Sequence, residues 1–161
     1  MKKTLLSMMT MAILASGSAY AVTTVEQEII VEAEIAPLIS LTKSSGTPLS
    51  QTNKLDYDIA TNNGIHSLTL PIKIAVNDNT SKVNVRLVKE FTLEHVSNGK
   101  LFSDSKVFLD GRELSHVNDR IYNLAAFELN ADLKISAKQP AGAVGGEQYS
   151  GIAHIMIESE I

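Results

Sequence analysis

Apolar and polar residues alternate along most of this chain, beginning with "VEQEIIVEAEIAPL" from Val25 to Leu38. One face of that stretch carries Val25, Gln27, Ile29, Val31, Ala33 and Ile35, and the other carries Glu26, Glu28, Glu32 and Glu34. A period of two predicts a strand with one buried face. Glutamate and alanine favour helix, and Val25, Ile29 and Ala33 also recur at a helical spacing. Against helix stand the β-branched residues Ile29, Ile30, Val31 and Ile35, and Pro37, which would end any helix there. The strand reading is favoured, and the pattern leaves open whether this strand belongs to its own domain or to another partner. Ile30, on the glutamate face, fits neither model.

Further strands are expected at Ala36 to Lys43, Lys54 to Ala60, His66 to Val76, Lys82 to Lys89, Lys106 to Leu114, Ala131 to Lys138 and Tyr149 to Ser159. Helix and strand are close for Arg120 to Leu129. Turn residues divide the runs. "NDNTS" (Asn77 to Ser81) should reverse the chain, and Asp110-Gly111 inside an alternating run signals a two-residue hairpin whose central positions need positive φ. "KQPAGAVGGEQ" (Lys138 to Gln148) reads as a loop, and Pro71 points to an edge or a bulge. Short runs with regular turn signals predict an all-β antiparallel sandwich or barrel.

The first residues change the boundaries of that domain. "MKKTLLSMMTMAILASGSAYA" combines Lys2 and Lys3, an apolar run from Leu5 to Ala15, and Ala19-Tyr20-Ala21, the three parts of a secretory signal. The run is too short for a membrane-spanning helix, and no later segment comes close to spanning. Cleavage after Ala21 would leave 140 of the 161 residues, enough for one domain with a real core. Two of the 14 basic residues leave with the signal, so 12 face 18 acidic ones and the mature charge is about −6. That balance argues against nucleic acid or an anionic membrane as partner.

Cysteine is absent, although a signal would send the chain to a compartment where small domains often use disulfides. Thiol catalysis and thiolate metal sites are thereby excluded. His66, His95, His116 and His154 stand far apart, and His-Glu-x-x-His and Gly-x-Ser-x-Gly signatures are missing. "AGAVGGE" lacks the lysine and following helix of a phosphate loop, and Asp56 with Asp58 reads as a solvated strand face rather than an acid-base pair. No catalytic, cofactor-binding or metal-binding residue is assigned, and no cofactor is expected.

Taken in order, several segments resemble one family. "VEQEIIVEAEIAPLISL" is similar to the mature start of the major subunits of class 5 chaperone-usher fimbriae, the colonization factor antigen I type. Ile35 takes the place of that pattern's final valine, and Val22 to Thr24 precede it as extra residues. "IAVNDNTSKVNVRLVK" resembles the family's strand, Asn-Asp-x-Thr turn and following strand, and "FLDGREL" its Trp-Gly-Gly-x-x-Leu hairpin. "LKISAKQPAGAVGGEQYSGIAHIMIES" is similar to its Leu-x-Ile-Ser-Ala strand, small-residue loop and Tyr-Ser-Gly-Val final strand. Phe108-Leu109-Asp110, where the family has a tryptophan-bearing strand, and "LVKEFTLEH" depart from it, so no surface or receptor contact is carried over.

The resemblance implies an immunoglobulin-like antiparallel sandwich that is incomplete and is completed by a donor strand from a neighbouring subunit. Residues 1–21 would be the cleaved signal, 22–36 the donor extension and 37–161 the incomplete domain. Val25, Ile29, Val31, Ala33 and Ile35 would be donor anchors and Pro37 the hinge. Ile152, Ile155 and Ile157 of the final strand would border the acceptor groove. The implied partners are identical subunits in a homopolymer, a periplasmic chaperone, an outer-membrane usher and a tip adhesin, with the fimbria at the bacterial surface. The implied function is that of a major structural subunit of an adhesive fimbria, supporting attachment to host cells. The alternative is a secreted or tip-located β-sandwich that binds a glycan. An enzyme is disfavoured because no motif supports one.

Overall fold

Alternation becomes sheet wherever the apolar set can face a second apolar sheet, and the central strands show this most clearly. The computed structural model describes residues 38–160 except 58 and 60–62 and 78. The expected signal, the extension and Pro37 lie outside the described residues. In chain order the strands are β1 (Ile39–Lys43), β2 (Asp56–Tyr57), β3 (Ile65–Val76), β4 (Lys82–Leu87), β5 (Glu94–His95) and β6 (Ser103–Leu109). They are followed by β7 (Arg112–Glu113), β8 (Arg120–Asn123), β9 (Glu128–Lys138), β10 (Tyr149–Ser150) and β11 (Ile155–Ser159). Among the described residues there is no helix.

One sheet runs β1-β3-β9-β6-β7, with β2 also on β3, and a second runs β11-β4-β8; β10 and β5 form a separate ribbon. Every pairing is antiparallel. With β1, β3, β4, β6, β9 and β11 taken as A to F, the orders A-B-E-D and F-C are those of an immunoglobulin-like sandwich. In a complete sandwich a seventh strand, G, lies on the far side of F. No described strand takes that place beside β11.

The core lies between the two sheets. Ile72, Ile74 and Val76 of β3 meet Val83, Val85 and Leu87 of β4, with Val107, Leu109, Leu133, Ala137, Phe91, Leu93 and Leu114 around them. Among the described residues the buried side chains are aliphatic or aromatic, and Tyr122 alone of them carries a polar group. The buried Tyr122 crosses from one sheet to the other, and its hydroxyl donates to the Leu109 carbonyl at 3.0 Å. Burial raises the Tyr122 pKa above its ordinary value, opposed in part by Arg112, whose guanidinium sits 4.7 Å from the ring centroid.

Three details differ from the sequence expectation or sharpen it. Pro71 lies at neither an edge nor a bulge but inside β3, opposite Asp132 of β9. Its carbonyl accepts from the Ser44 amide at 2.9 Å, just where β1 ends, so the missing N–H falls where β3 changes neighbour from β1 to β2. Arg120 to Leu129 is β8, a tight turn and the start of β9 rather than a helix. That turn holds Ala126 and Phe127 at φ 51° and 65°, a left-handed conformation costing an L residue about 1–2 kcal/mol. Asp110-Gly111 forms the expected hairpin, with φ 50° and 72°.

The final run is split: Tyr149 and Ser150 leave with the ribbon, and pairing with β4 begins at Ile155. Gly151 lies in the break, where a Cβ would fall inside contact distance of the Thr92 carbonyl oxygen. Gly151→Ala should therefore destabilise the chain by about 1–3 kcal/mol. Gly145→Ala, whose added methyl meets nothing within 4 Å, should stay within about 0.5 kcal/mol of the parent. Urea unfolding of both variants checks this, and equal midpoints would rule out the close approach.

Candidate functional site

Where the two sheets approach at β1 and β11, each is bounded by a strand that pairs with one described neighbour only. β1 pairs with β3 and β11 with β4, and no described strand occupies the other side of either. Ile39 and Leu41 stand opposite Val76 and Ile74, so their side chains face the core. Ile155 and Ile157 stand opposite Leu87 and Val85 and do the same. Yet all four are only partly buried, whereas Val76, Ile74, Leu87 and Val85 are at most 8% exposed. An inward-facing isoleucine or leucine left partly wet gives up part of the roughly 1.5–3 kcal/mol that full burial supplies.

The backbone completes the picture. The Val88 amide donates to the His154 carbonyl at 2.8 Å and the Glu160 amide to the Lys82 carbonyl at 3.1 Å, so the even-numbered residues of β11 bond toward β4. Antiparallel bonding alternates, which turns the N–H and C=O groups of Ile155, Ile157 and Ser159 to the outer edge. On β1 the Asn77 amide donates to the Leu38 carbonyl at 3.2 Å and the Ser44 amide to the Pro71 carbonyl at 2.9 Å. The same alternation turns the main-chain groups of Ile39 and Leu41 outward. Each of these four residues thus offers an apolar side chain below and an amide template at the edge, the two requirements for adding a strand. β1 and β11 approach one another to within 8 Å between Cα atoms at their closest. A strand paired with both would need roughly 9.6 Å, twice the ordinary strand spacing, so seating one requires the edges to part.

The sequence-predicted residues fall as follows. Ile155 and Ile157 lie on β11 at this edge, while Ile152 precedes the strand and is 66% exposed. Val25, Ile29, Val31, Ala33, Ile35 and Pro37 lie outside the described residues. Sequence reasoning misses Ile39 and Leu41. "ISLTK" shows their alternation, but nothing in a local pattern says that a strand will lie at an edge.

Two of the four histidines are engaged structurally. His66 packs between Tyr57, tilted at 5.1 Å, and Phe102, edge-on at 5.3 Å, with Nε2 3.1 Å from the Gln139 amide oxygen. His95 meets the Tyr149 ring edge-on at 5.0 Å, and its Nδ1 accepts from the Ser97 and Asn98 amides. His116 lines a shallow cleft of about 230 Å³ beside Glu90, Lys106 and Glu113. Among the described residues no three metal-ligating side chains gather, and no helix is long and apolar enough to cross a membrane. The Tyr149 hydroxyl donates to Glu147 at 2.9 Å, and that bond, first among the causes, lowers the Glu147 pKa. Its contribution to stability is full above the ordinary carboxylate range and is lost as pH falls through the lowered value.

Comparison with known proteins adds a lineage to this geometry. Residues 25–158 match the model of a family described as CS1 type fimbrial major subunit. A CS1 fimbrial subunit of Escherichia coli is 25% identical over 169 aligned positions, covering 98% of this chain and 96% of that protein. The solved structure of the CooA pilin from enterotoxigenic Escherichia coli superposes with a TM-score of 0.62 at 23% identity. That match spans 74% of this chain and 86% of that one.

The open edge predicts an alternating pattern of amide exchange along β11. In the chain lacking residues 22–36, the amides of Ile155 and Ile157 should exchange at least tenfold faster than those of Met156 and Glu158, which face β4. Uniform protection along the strand, read by hydrogen-exchange NMR, would contradict the assigned edge.

Proposed function

Because the chain belongs to the CS1 type fimbrial major subunit family and is a structural subunit of a surface fimbria, we propose that it polymerises by lending residues 22–36 to the open edge of a neighbour. The observation that carries this reading is the pair of edge strands whose inward side chains, Ile39, Leu41, Ile155 and Ile157, stay only partly buried beneath outward-turned amides. The stretch from Val25 to Ile35 has the matching form: Val25, Ile29, Val31, Ala33 and Ile35 on one face, glutamates on the other. Seated beside β11, the apolar face would cover the core and the main chain would satisfy the edge. A slip of one residue would drive glutamates into the core, so the alternation also sets the register.

Pro37 would stiffen the junction between the lent strand and the subunit's own β1. Since each subunit gives its strand to one neighbour and receives one from another, the contact is heterologous and does not close, which yields a filament. Before insertion the open edge is an aggregation hazard. That hazard supports export through the periplasm under a chaperone, with an outer-membrane usher exchanging the chaperone for the next subunit and an adhesin at the tip. A purely structural subunit needs no active site, in keeping with the structural engagement of His66 and His95.

Removing residues 22–36 should leave a subunit that accepts a strand but cannot donate one. A peptide of Val25 to Ile35 should then raise its thermal midpoint. At a hundredfold excess over Kd the expected gain is about 2.7 kcal/mol, on the order of 10 °C. An unchanged midpoint would sink the model. In the full chain, Ile29→Asp or Val31→Asp should abolish the heat-labile ladder on a denaturing gel, while Glu28→Ala or Glu32→Ala should leave it intact. Equal effects on the two faces would mean the face assignment is wrong.

A further inference from the structure

Two groups of exposed apolar residues sit at opposite ends of the sandwich. At the end where β1 starts, Leu38 is tied to Asn77 by the Leu38 amide on Asn77 Oδ1 at 2.6 Å and the Asn77 amide on the Leu38 carbonyl. Phe127 lies on the other side of the same β3 terminus, its carbonyl accepting from the Val76 amide at 3.0 Å. At the far end, where β4 stops, the Val88 amide is bonded to the His154 carbonyl and the Leu87 amide to the Ser115 carbonyl, so the chain two residues beyond Ser115, at Val117, and two before His154, at Ile152, belongs to the segments that meet this strand end. These five residues are between 46% and 72% exposed.

Phe127 stands out because its backbone is unfavourable as well as its exposure. The Ala125 amide bonds the Glu128 carbonyl at 2.8 Å and the Glu128 amide the Ala125 carbonyl at 3.1 Å, closing a two-residue hairpin. Both central residues have positive φ, the geometry for which Asn-Gly is the favoured pair. Here the pair is Ala126-Phe127. A bulky aromatic held in a strained turn and pushed into solvent is a combination that folding of the isolated chain does not favour, and such strain concentrates where function requires it.

Strand polarity says what meets it. β11 runs from the far end, where Ile155 faces Leu87, to the end of Leu38 and Phe127, where Ser159 faces Val83. A lent strand that keeps the antiparallel rule of every described pair would run the other way and finish at the far end. The lent strand stops at Pro37, so the donor's Leu38 would emerge beside the acceptor's Val88, Val117 and Ile152. A parallel strand would finish instead at the end from which the acceptor's own extension departs, leaving both segments competing for one pole.

We propose that Leu38 and Phe127 of one subunit form an apolar plug that packs against Val88, Val117 and Ile152 of the subunit receiving its strand. This inference rests on the strand-donation reading. The plug acts after insertion: it shields the mouth of the filled edge and fixes the angle between successive subunits. The occupant is therefore a second copy of this chain, and the contact is heterologous, one pole against the other.

The test replaces Ala126-Phe127 by Asn-Gly in the full chain (A126N/F127G) and, separately, makes Val117→Ser at an exposed loop position. The double variant should still give the heat-labile ladder, because strand donation is untouched, and its monomer should unfold at a higher urea concentration than the parent. Its fibres should nevertheless dissociate about tenfold or more faster in denaturant, and Val117→Ser fibres should weaken in the same direction. Fibres of both variants as durable as the parent's would overturn the plug while leaving strand donation standing. Absence of the ladder from the parent itself would overturn strand donation, and the plug with it.

Discussion

The constraint on which the rest depends is that a sheet edge and a half-covered core cannot both face water without cost. Backbone amides require partners when water is excluded, and inward isoleucines require cover. In this sandwich the two demands fall on the same four residues. Ile39 and Leu41 on β1, and Ile155 and Ile157 on β11, have apolar side chains directed inward and main-chain groups directed outward. Elsewhere the same apolar alternation is satisfied internally, as in the facing triplets Ile72, Ile74, Val76 and Val83, Val85, Leu87. The difference is one of position in the sheet, not of residue type.

Much of the architecture is legible in the chain because its strands are long and its turns use characteristic residues. β3, β4, β6 and β9 follow the period-two pattern closely, and Asp110-Gly111 announces its hairpin. The errors have physical causes. Pro71 reads as an edge residue because proline lacks a ladder donor, but β3 changes partner there and leaves the donor unneeded. Arg120 to Leu129 is ambiguous because Ala125 and Ala126 favour helix while the hairpin they form relies on tertiary support. The final strand reads as continuous because nothing local shows that Tyr149 and Ser150 pair with β5 while Ile155 onward pairs with β4.

The site is legible only in part. Ile155 and Ile157 can be picked from the last strand, but Ile39 and Leu41 cannot, since edge position is a property of topology rather than sequence. Phe127 gives no signal at all: an Ala-Phe pair is a poor predictor of the turn it occupies, and only the backbone angles expose the mismatch. In the proposed filament the lent strand supplies cover for the edge, and the poles supply a second contact that forms once the strand is seated. Separating these two contributions explains how one copy could be held tightly by one strand and yet oriented by a few exposed residues.

The absence of native cysteine makes the central claim open to a direct cross-linking scan. Ile157→Cys is combined with one further cysteine placed in turn at each position from 25 to 35, and fibres are oxidised and run on a heated, non-reducing gel. If the extension seats beside β11 with its apolar face inward, heat-resistant ladders between subunits should appear for odd-numbered positions near Ile157 and fade at the even-numbered ones between them. Cross-links that form only within single chains, or ladders of equal yield at odd and even positions, would contradict the account.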